Sequence, residues 1–87
     1  MTLTYTDEEF ITAVDGTTTT HRVADWIGCT NEPAHRRLYD LALDEKIGFM
    51  HAPERRESRA DVLVVDADMV ERGVHSPPEE WPEPRDS

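Results

Sequence analysis

Five of the nine basic side chains of this chain are arginines that form two groups within a stretch of 24 residues. Arg36 and Arg37 form the first group, and Arg55, Arg56 and Arg59 form the second. A guanidinium group offers two donors in one plane, so it can pair with O6 and N7 of guanine, and its charge suits a phosphate group. The plain alternative is that arginines in a surface loop are only solvated. We favour contact with an anionic partner, because the second group is the most basic segment of an acidic chain.

The first group lies in a segment with helical spacing. Its apolar residues recur along one stripe and predict a helix over residues 31–45 with Thr30 as N-cap. At about 100° per residue, the opposite side of this helix carries a polar set. That set is Glu32, Arg36, Tyr39 and Asp40, with His35 and Arg37 on its flanks.

A second helix is predicted just before this one, over residues 20–27. Gly28 can supply the positive φ that ends it, and the turn Gly28–Thr30 then leads into the next helix. Two helices joined by a short turn with glycine form the helix-turn-helix pattern. This pattern positions the polar side of the 31–45 helix outward.

The remaining segments predict a small α+β domain. Thr6 caps a helix over residues 7–15, residues 17–18 suit a short strand, and residues 66–72 suit one or two helical turns. Residues 46–51 and 61–65 read as the strands of a β-hairpin. The hairpin tip, residues 52–60, carries the second arginine group, and we call it the arginine loop.

The composition changes from His75 onward. The last thirteen residues contain four prolines and almost no apolar side chain, which predicts disorder. We therefore expect a domain over residues 1–74 and an acidic, proline-rich disordered tail over residues 75–87. Trp81 in this tail either docks on a partner or has no role.

The net charge of the chain supports two different interpretations of its partners. Nineteen acidic against nine basic side chains give a formal net charge of −10, which opposes binding to nucleic acid in a small domain. An acidic surface with Lys46 as its only lysine also resembles the proteins of extreme halophiles, where global charge says little about partners. The placement of the positive charges therefore matters more than their sum.

Length and composition exclude several classes of protein. Eighty-seven residues allow one small domain. We expect no membrane span, no secretory signal and a cytoplasmic location. Cys29 is the single cysteine, so an intrachain disulfide is excluded, and the spacing of the four histidines matches no metal motif. We expect no metal, no cofactor and no enzyme activity, because no nucleophile–base pair or phosphate loop stands out.

The motifs resemble one known family. The run Thr19–Thr30, TTHRVADWIGCT, is similar to the T-T-x-x-I-A-x-x-L-G-V-S run of winged helix-turn-helix domains, and the run 37–42 with Ile47 is similar to its R-L-x-x-L-x…I run. With its acidic composition, the chain resembles small transcriptional regulators of halophilic archaea over residues 6–70. The resemblance implies a three-helix core plus a β-hairpin wing. Glu45 departs from the family, which commonly has glycine there, so the helix is predicted to run slightly further.

The resemblance implies which residues approach DNA. The 31–45 helix would be the recognition helix, and the arginine loop would be the wing. The implied contacts are Thr30, Asn31, Glu32, His35, Arg36, Arg37, Tyr39, Arg55, Arg56 and Arg59. Glu32 and Asp40 favour the alternative of a solvated or protein-binding face, because carboxylates repel phosphate.

Two functions follow as hypotheses. The first is a regulator that binds double-stranded DNA as a homodimer, since one short helix reads few base pairs alone. The second is a winged-helix protein–protein interaction module without DNA binding. Trp26, which lies off the apolar stripe of its helix, and the tail are the segments that would contact a protein partner.

Overall fold

A computed structural model describes residues 5–82 of the chain. This described part forms a small α+β domain with four α-helices and a three-stranded antiparallel sheet, which confirms the predicted α+β class. The helices are α1 (Asp7–Ala13), α2 (Thr20–Ile27), α3 (Asn31–Leu43) and α4 (Ala67–Glu71), and the strands are β1 (Thr17–Thr19), β2 (Gly48–Phe49) and β3 (Leu63–Val65). A short 3-10 helix follows at Pro78–Glu80.

Side-chain caps fix where the helices begin. Thr6 accepts a hydrogen bond from the backbone N–H of Glu9 at 3.2 Å, and Thr19 accepts one from that of Arg22 at 3.2 Å. Asp66 caps α4 by accepting from the backbone N–H of Met69 at 3.1 Å. These local signals confirm the predicted starts of α1, α2 and α4.

The end of α1 differs from the prediction. The helix stops at Ala13 rather than at residue 15, because Val14 turns into an extended conformation that buries its side chain to 3% exposure. Burial of this β-branched residue outweighs the two further helical residues that the sequence predicts.

The end of α3 also differs from the prediction. The helix does not continue past Leu43, and Glu45 adopts the left-handed region with φ 59°. The N–H of Glu45 donates to the carbonyl of Ala42 at 3.0 Å, and the N–H of Lys46 donates to that of Leu41 at 3.1 Å. These two bonds form a Schellman motif, which satisfies carbonyls at the helix end and holds Glu45 where glycine is usual.

The sheet brings distant segments together. β3 lies between the other two strands, with Thr17 opposite Val65 on one side and Gly48 opposite Val65 on the other. The predicted hairpin is present as the β2–β3 pair, but its ladder is short and the connection over residues 50–62 is long. The arginine loop belongs to this connection.

The core lies between the sheet and the first three helices. α3 is its central element, since Ala34 and Leu38 are fully buried, and α2 packs against α3 through the small residue Ala24. Apolar residues that complete the core are Phe10, Val14, Val23, Leu41, Ala42, Ile47 and Val64. The predicted apolar stripe of α3 is thus confirmed.

The described part of the predicted tail is ordered, which corrects the prediction of disorder for residues 75–82. Ser76 pairs with Phe49 as an antiparallel bridge, and Trp81 is 6% exposed. The Trp81 ring packs on Tyr39 with centroids 4.8 Å apart, and its indole N–H donates to the carbonyl of Ser76 at 3.2 Å. One buried aromatic side chain orders a segment whose average composition indicates disorder. Residues 83–87 lie outside the described part.

Candidate nucleic-acid interface

The arginine loop lies along the outer side of α3. The side-chain amide of Asn31 donates to the carbonyls of Arg59 and Ala60, both at 3.0 Å. Nε2 of His35 lies 2.9 Å from the carbonyl of Arg55, so this ring nitrogen carries the proton and donates it. These contacts fix the backbone of both ends of the loop against the first half of the helix.

Three ion pairs join the loop to α3. Arg36 pairs with Glu57 at 3.0 Å, and Arg59 pairs with Glu32 at 3.1 Å. Arg56 pairs with Asp40 in a two-bond arrangement, with Nε and Nη2 at 3.0 and 2.7 Å from the two carboxylate oxygens. Arg36 of the first group therefore meets Arg56 and Arg59 of the second group on one face, and each of these three arginines lies beside a carboxylate from the other element.

Arg37 is directed toward α1 rather than toward the loop. It pairs with Asp7 at 2.8 Å, and its guanidinium carbon lies 5.7 Å from the centre of the Phe10 ring. These two contacts of Arg37 hold α1 against α3. The structure separates Arg37 from the other four arginines of the predicted set.

His35 and Tyr39 are buried, which corrects their predicted place on the outer side of α3. Their exposed fractions are 0% and 1%. The ring of His35 lies 5.4 Å from that of Phe49, and Tyr39 lies between Phe49 and Trp81. The hairpin and the C-terminal segment cover this side of α3, so the buried face of the helix is wider than its apolar stripe. Neither side chain is available to a groove of DNA in this conformation.

Four residues of the predicted set, at positions 32, 55, 56 and 59, line an open cavity of about 600 Å³. Arg55 is exposed at its rim, and Thr30 is exposed at the start of α3. The lining residues of the cavity are Glu32, Arg55, Arg56, Glu57, Ser58 and Arg59. A cavity with three guanidinium groups and two carboxylates can exchange an internal ion pair for an external anion such as phosphate.

This face is electrically neutral in an otherwise acidic molecule. The arginine loop and the outer side of α3 carry four arginines, at 36, 55, 56 and 59, and four carboxylates, at 32, 40, 54 and 57. The rest of the chain then has five basic and fifteen acidic side chains, which account for the full net charge of −10. An anionic partner meets the least repulsion at this face.

Comparison of the chain with protein families, curated proteins and solved structures finds no match. The assignment of function therefore rests on the site itself.

Three further features bear on the chemistry of the described residues. None of the helices in residues 5–82 is long and apolar enough to cross a membrane, and the same residues contain no group of three metal-ligating side chains. Burial raises the pKa of the Cys29 thiol, which lowers its thiolate fraction at neutral pH.

Sequence reasoning placed Glu54 and Glu57 among the loop arginines as partial neutralisers, but it did not identify the ion pairs between the loop and α3. Glu57 and Asp40 neutralise Arg36 and Arg56, and Asn31 holds the loop backbone instead of facing solvent. One signal was present: Glu32, Arg36 and Asp40 lie four residues apart on one helical face, opposite a loop that alternates arginine and glutamate.

Proposed function

We propose that this chain is a winged helix-turn-helix domain that binds double-stranded DNA through α3 and the arginine loop. The observation that supports this most is the meeting of Arg36 with Arg55, Arg56 and Arg59 on one face, although positions 36 and 55 are 19 residues apart in the sequence. The order of helices and strands agrees with the family pattern found in the sequence. DNA would be held by the loop arginines at its phosphates and read by Arg36.

The ion pairs on this face do not preclude DNA binding. The paired side chains of Arg36 and Arg56 are 50% and 48% exposed. Exposed pairs contribute about 0–1 kcal/mol each, so a phosphate can replace the carboxylate at small cost. Phosphate contacts also gain from release of the counterions condensed on DNA.

A dimer is part of this proposal. α3 is 13 residues long, and its exposed polar residues near the loop are few. One recognition helix contacts too few base pairs for specific binding, whereas a two-fold pair reads two half-sites.

Two variants distinguish arginines that contact phosphates from an arginine that contacts base edges. The triple variant R55A/R56A/R59A should weaken binding to all duplexes alike, because loop arginines contact phosphates. R36A should reduce the difference between preferred and random sequence by about 1–3 kcal/mol, because a guanidinium paired with guanine carries sequence information. Fluorescence anisotropy with a selected and a random duplex measures both effects.

The control for R36A is R72A. Arg72 is an exposed arginine at the C-terminal end of α4, beside Asp68 at 3.3 Å, and its removal changes the net charge equally. If R72A and R36A lower affinity and specificity to the same extent, Arg36 does not read bases.

A protein-docking module is the second candidate, and a specific observation favours it. Trp26 on α2 is 62% exposed, the largest exposed apolar side chain of the described residues. Tryptophan is enriched at the centres of protein interfaces. If the chain binds no duplex DNA, a W26A variant that loses a protein partner retained by the unchanged chain would support this candidate.

A further inference from the structure

We propose that the three ion pairs between the arginine loop and α3 hold the loop closed over the helix and that the loop opens as the ionic strength rises. We call this closed arrangement the clasp. The inference rests on the proposed function in one respect: the open form is the one that presents free guanidinium groups to DNA. The clasp itself is a property of the chain alone and is tested without DNA.

The charged residues of α3 and those of the arginine loop lie opposite one another with opposite signs. Along one face of α3, residues four apart give the sequence Glu32, Arg36, Asp40, which alternates negative, positive, negative. The loop opposes these with Arg59, Glu57 and Arg56 in turn, at 3.1, 3.0 and 2.7 Å. The loop therefore runs antiparallel to the helix with each charge beside its opposite. The three ion pairs between the loop and α3 therefore stabilise a closed state of the loop, and the stability of this state depends on attraction between charges.

The pairs lie at the surface, so dissolved salt reaches them. Both members of the Arg36–Glu57 and Arg56–Asp40 pairs are 44–52% exposed, and Arg59 is 90% exposed. Screening shortens the range of charge interactions from about 10 Å at 0.1 M to about 3 Å at 1 M salt. Raising the salt concentration therefore weakens all three pairs together.

Uncharged contacts keep the loop attached at its ends. His35 is fully buried and donates to the carbonyl of Arg55, while Asn31 donates to those of Arg59 and Ala60. Salt does not screen these hydrogen bonds appreciably, since they involve no net charge on the loop. Opening is thus a local movement of the residues between these anchors. It separates Arg36 from Glu57, Arg59 from Glu32 and Arg56 from Asp40 in one step.

Opening of the clasp changes how DNA binding depends on salt. Salt weakens phosphate contacts, but it also weakens the internal pairs that compete with them. The apparent affinity for DNA should therefore fall less steeply with KCl than the number of contacting arginines implies. In a chain without ion pairs between its loop and α3, salt would weaken the phosphate contacts only, and the affinity would fall more steeply.

Hydrogen–deuterium exchange of the full chain tests the clasp. The peptide covering the arginine loop should exchange about three-fold or more faster in about 2 M KCl than in about 0.1 M KCl, after correction with an unstructured peptide of the same sequence. A peptide from the middle of α3 should not change. Equal loop exchange at both salt concentrations would overturn the proposal.

A charge swap supplies the matched control. E57R places a second arginine beside Arg36 and should give fast loop exchange already in dilute KCl. The double variant R36E/E57R has the net charge of the unchanged chain and rebuilds the pair in reverse, so it should restore slow exchange and the response to salt. If the double variant exchanges as fast as E57R, the effect is a loss of structure and the clasp is wrong.

The exchange result and the DNA result are separable. Loop exchange that rises with KCl while no duplex binds at any salt concentration leaves the clasp standing and removes the proposed function. Duplex binding with loop exchange that ignores KCl removes the clasp and leaves the function standing.

Discussion

Glu45 occupies a backbone conformation that costs free energy in most residues. Its φ of 59° lies in the left-handed region, which the Schellman motif at the end of α3 requires. Replacing it with glycine should raise the free energy of unfolding by about 0.5–1 kcal/mol, the relief of strain less the added freedom of the unfolded chain. Urea unfolding followed by circular dichroism measures the change.

The control for Glu45→Gly is Glu8→Gly, which removes the same charge from an exposed position inside α1. Glycine there should lower the free energy of unfolding by about 0.5–1 kcal/mol. If both variants move stability in the same direction, removal of charge and not relief of φ strain is the cause.

Asp66 ties the start of α4 to the turn before β1. Its carboxylate accepts from the N–H of Gly16 at 2.7 Å and from that of Met69 at 3.1 Å, and these hydrogen bonds, the Gly16 bond foremost, lower the pKa of Asp66. A carboxyl group with a lowered folded-state pKa stabilises the fold fully above its unfolded-state pKa of about 3.9. That stabilisation is lost as the pH falls from there through the lowered value.

Asp66→Asn should therefore reduce stability at neutral pH and lessen the acid dependence. An amide oxygen can replace one acceptor but not both, so we expect a loss of about 1 kcal/mol near pH 7. The difference from the unchanged chain should shrink below about pH 3.9 as Asp66 protonates. Urea unfolding at several pH values measures it, with Asp25→Asn, an exposed aspartate of α2, as control. A difference that stays constant down to low pH would contradict the assignment.

At the scale of elements, the C-terminal segment 75–82 completes the domain. Trp81 lies over Tyr39 and Phe49, and Gly48 lets the segment approach β2 so closely that an added Cβ would meet the Cβ of His75 at 2.9 Å. Trp81→Ala should therefore lower the free energy of unfolding by about 3–5 kcal/mol.

Trp26→Ala is the matched control for Trp81→Ala, because the same side chain is removed from a position that is 62% exposed. Its effect on stability should stay within about 0.5 kcal/mol. Thermal unfolding of both variants decides the point. Equal stability of the two would mean that the segment 75–82 does not pack on the core.

Elements with strong local signals were predictable from the sequence. α2 has the predicted bounds, because Thr19 caps its N-terminus and Gly28 caps its C-terminus, and each cap depends only on neighbouring residues. The strands that flank the arginine loop also lie within their predicted ranges. Caps, turns and β-branched runs act over short distances and so can be read along the chain.

The environment of α3 was not predictable in this way. His35 and Tyr39 are buried by residues 10 to 42 positions further along the chain, namely Phe49, Arg55 and Trp81. Helical periodicity gives the angle of each side chain but not which distant segment covers it. The same limit explains why the sequence showed the two arginine groups but did not show which carboxylates of the other element pair with them.

The whole molecule combines a strongly acidic surface with one neutral face. Self-repulsion in a chain of net charge −10 opposes the compact state, and salt relieves it. The melting temperature should therefore rise by several degrees, about 3–8 °C, between about 0.1 M and 2 M KCl. Differential scanning calorimetry measures this, and a melting temperature that falls with KCl would contradict it. The loop and the domain thus respond to salt in opposite directions.

Binding of the unchanged chain to duplex DNA tests the central claim most directly. We would follow the anisotropy of a labelled random duplex, and of the duplex upstream of the chain's own coding sequence, across a KCl series from about 0.1 M to 2 M. The account predicts saturable binding to both duplexes, tighter for the upstream one, and weakened by R55A/R56A/R59A but not by R22A/R72A. Anisotropy that does not change with protein at any KCl concentration would contradict DNA binding and favour the protein-docking module.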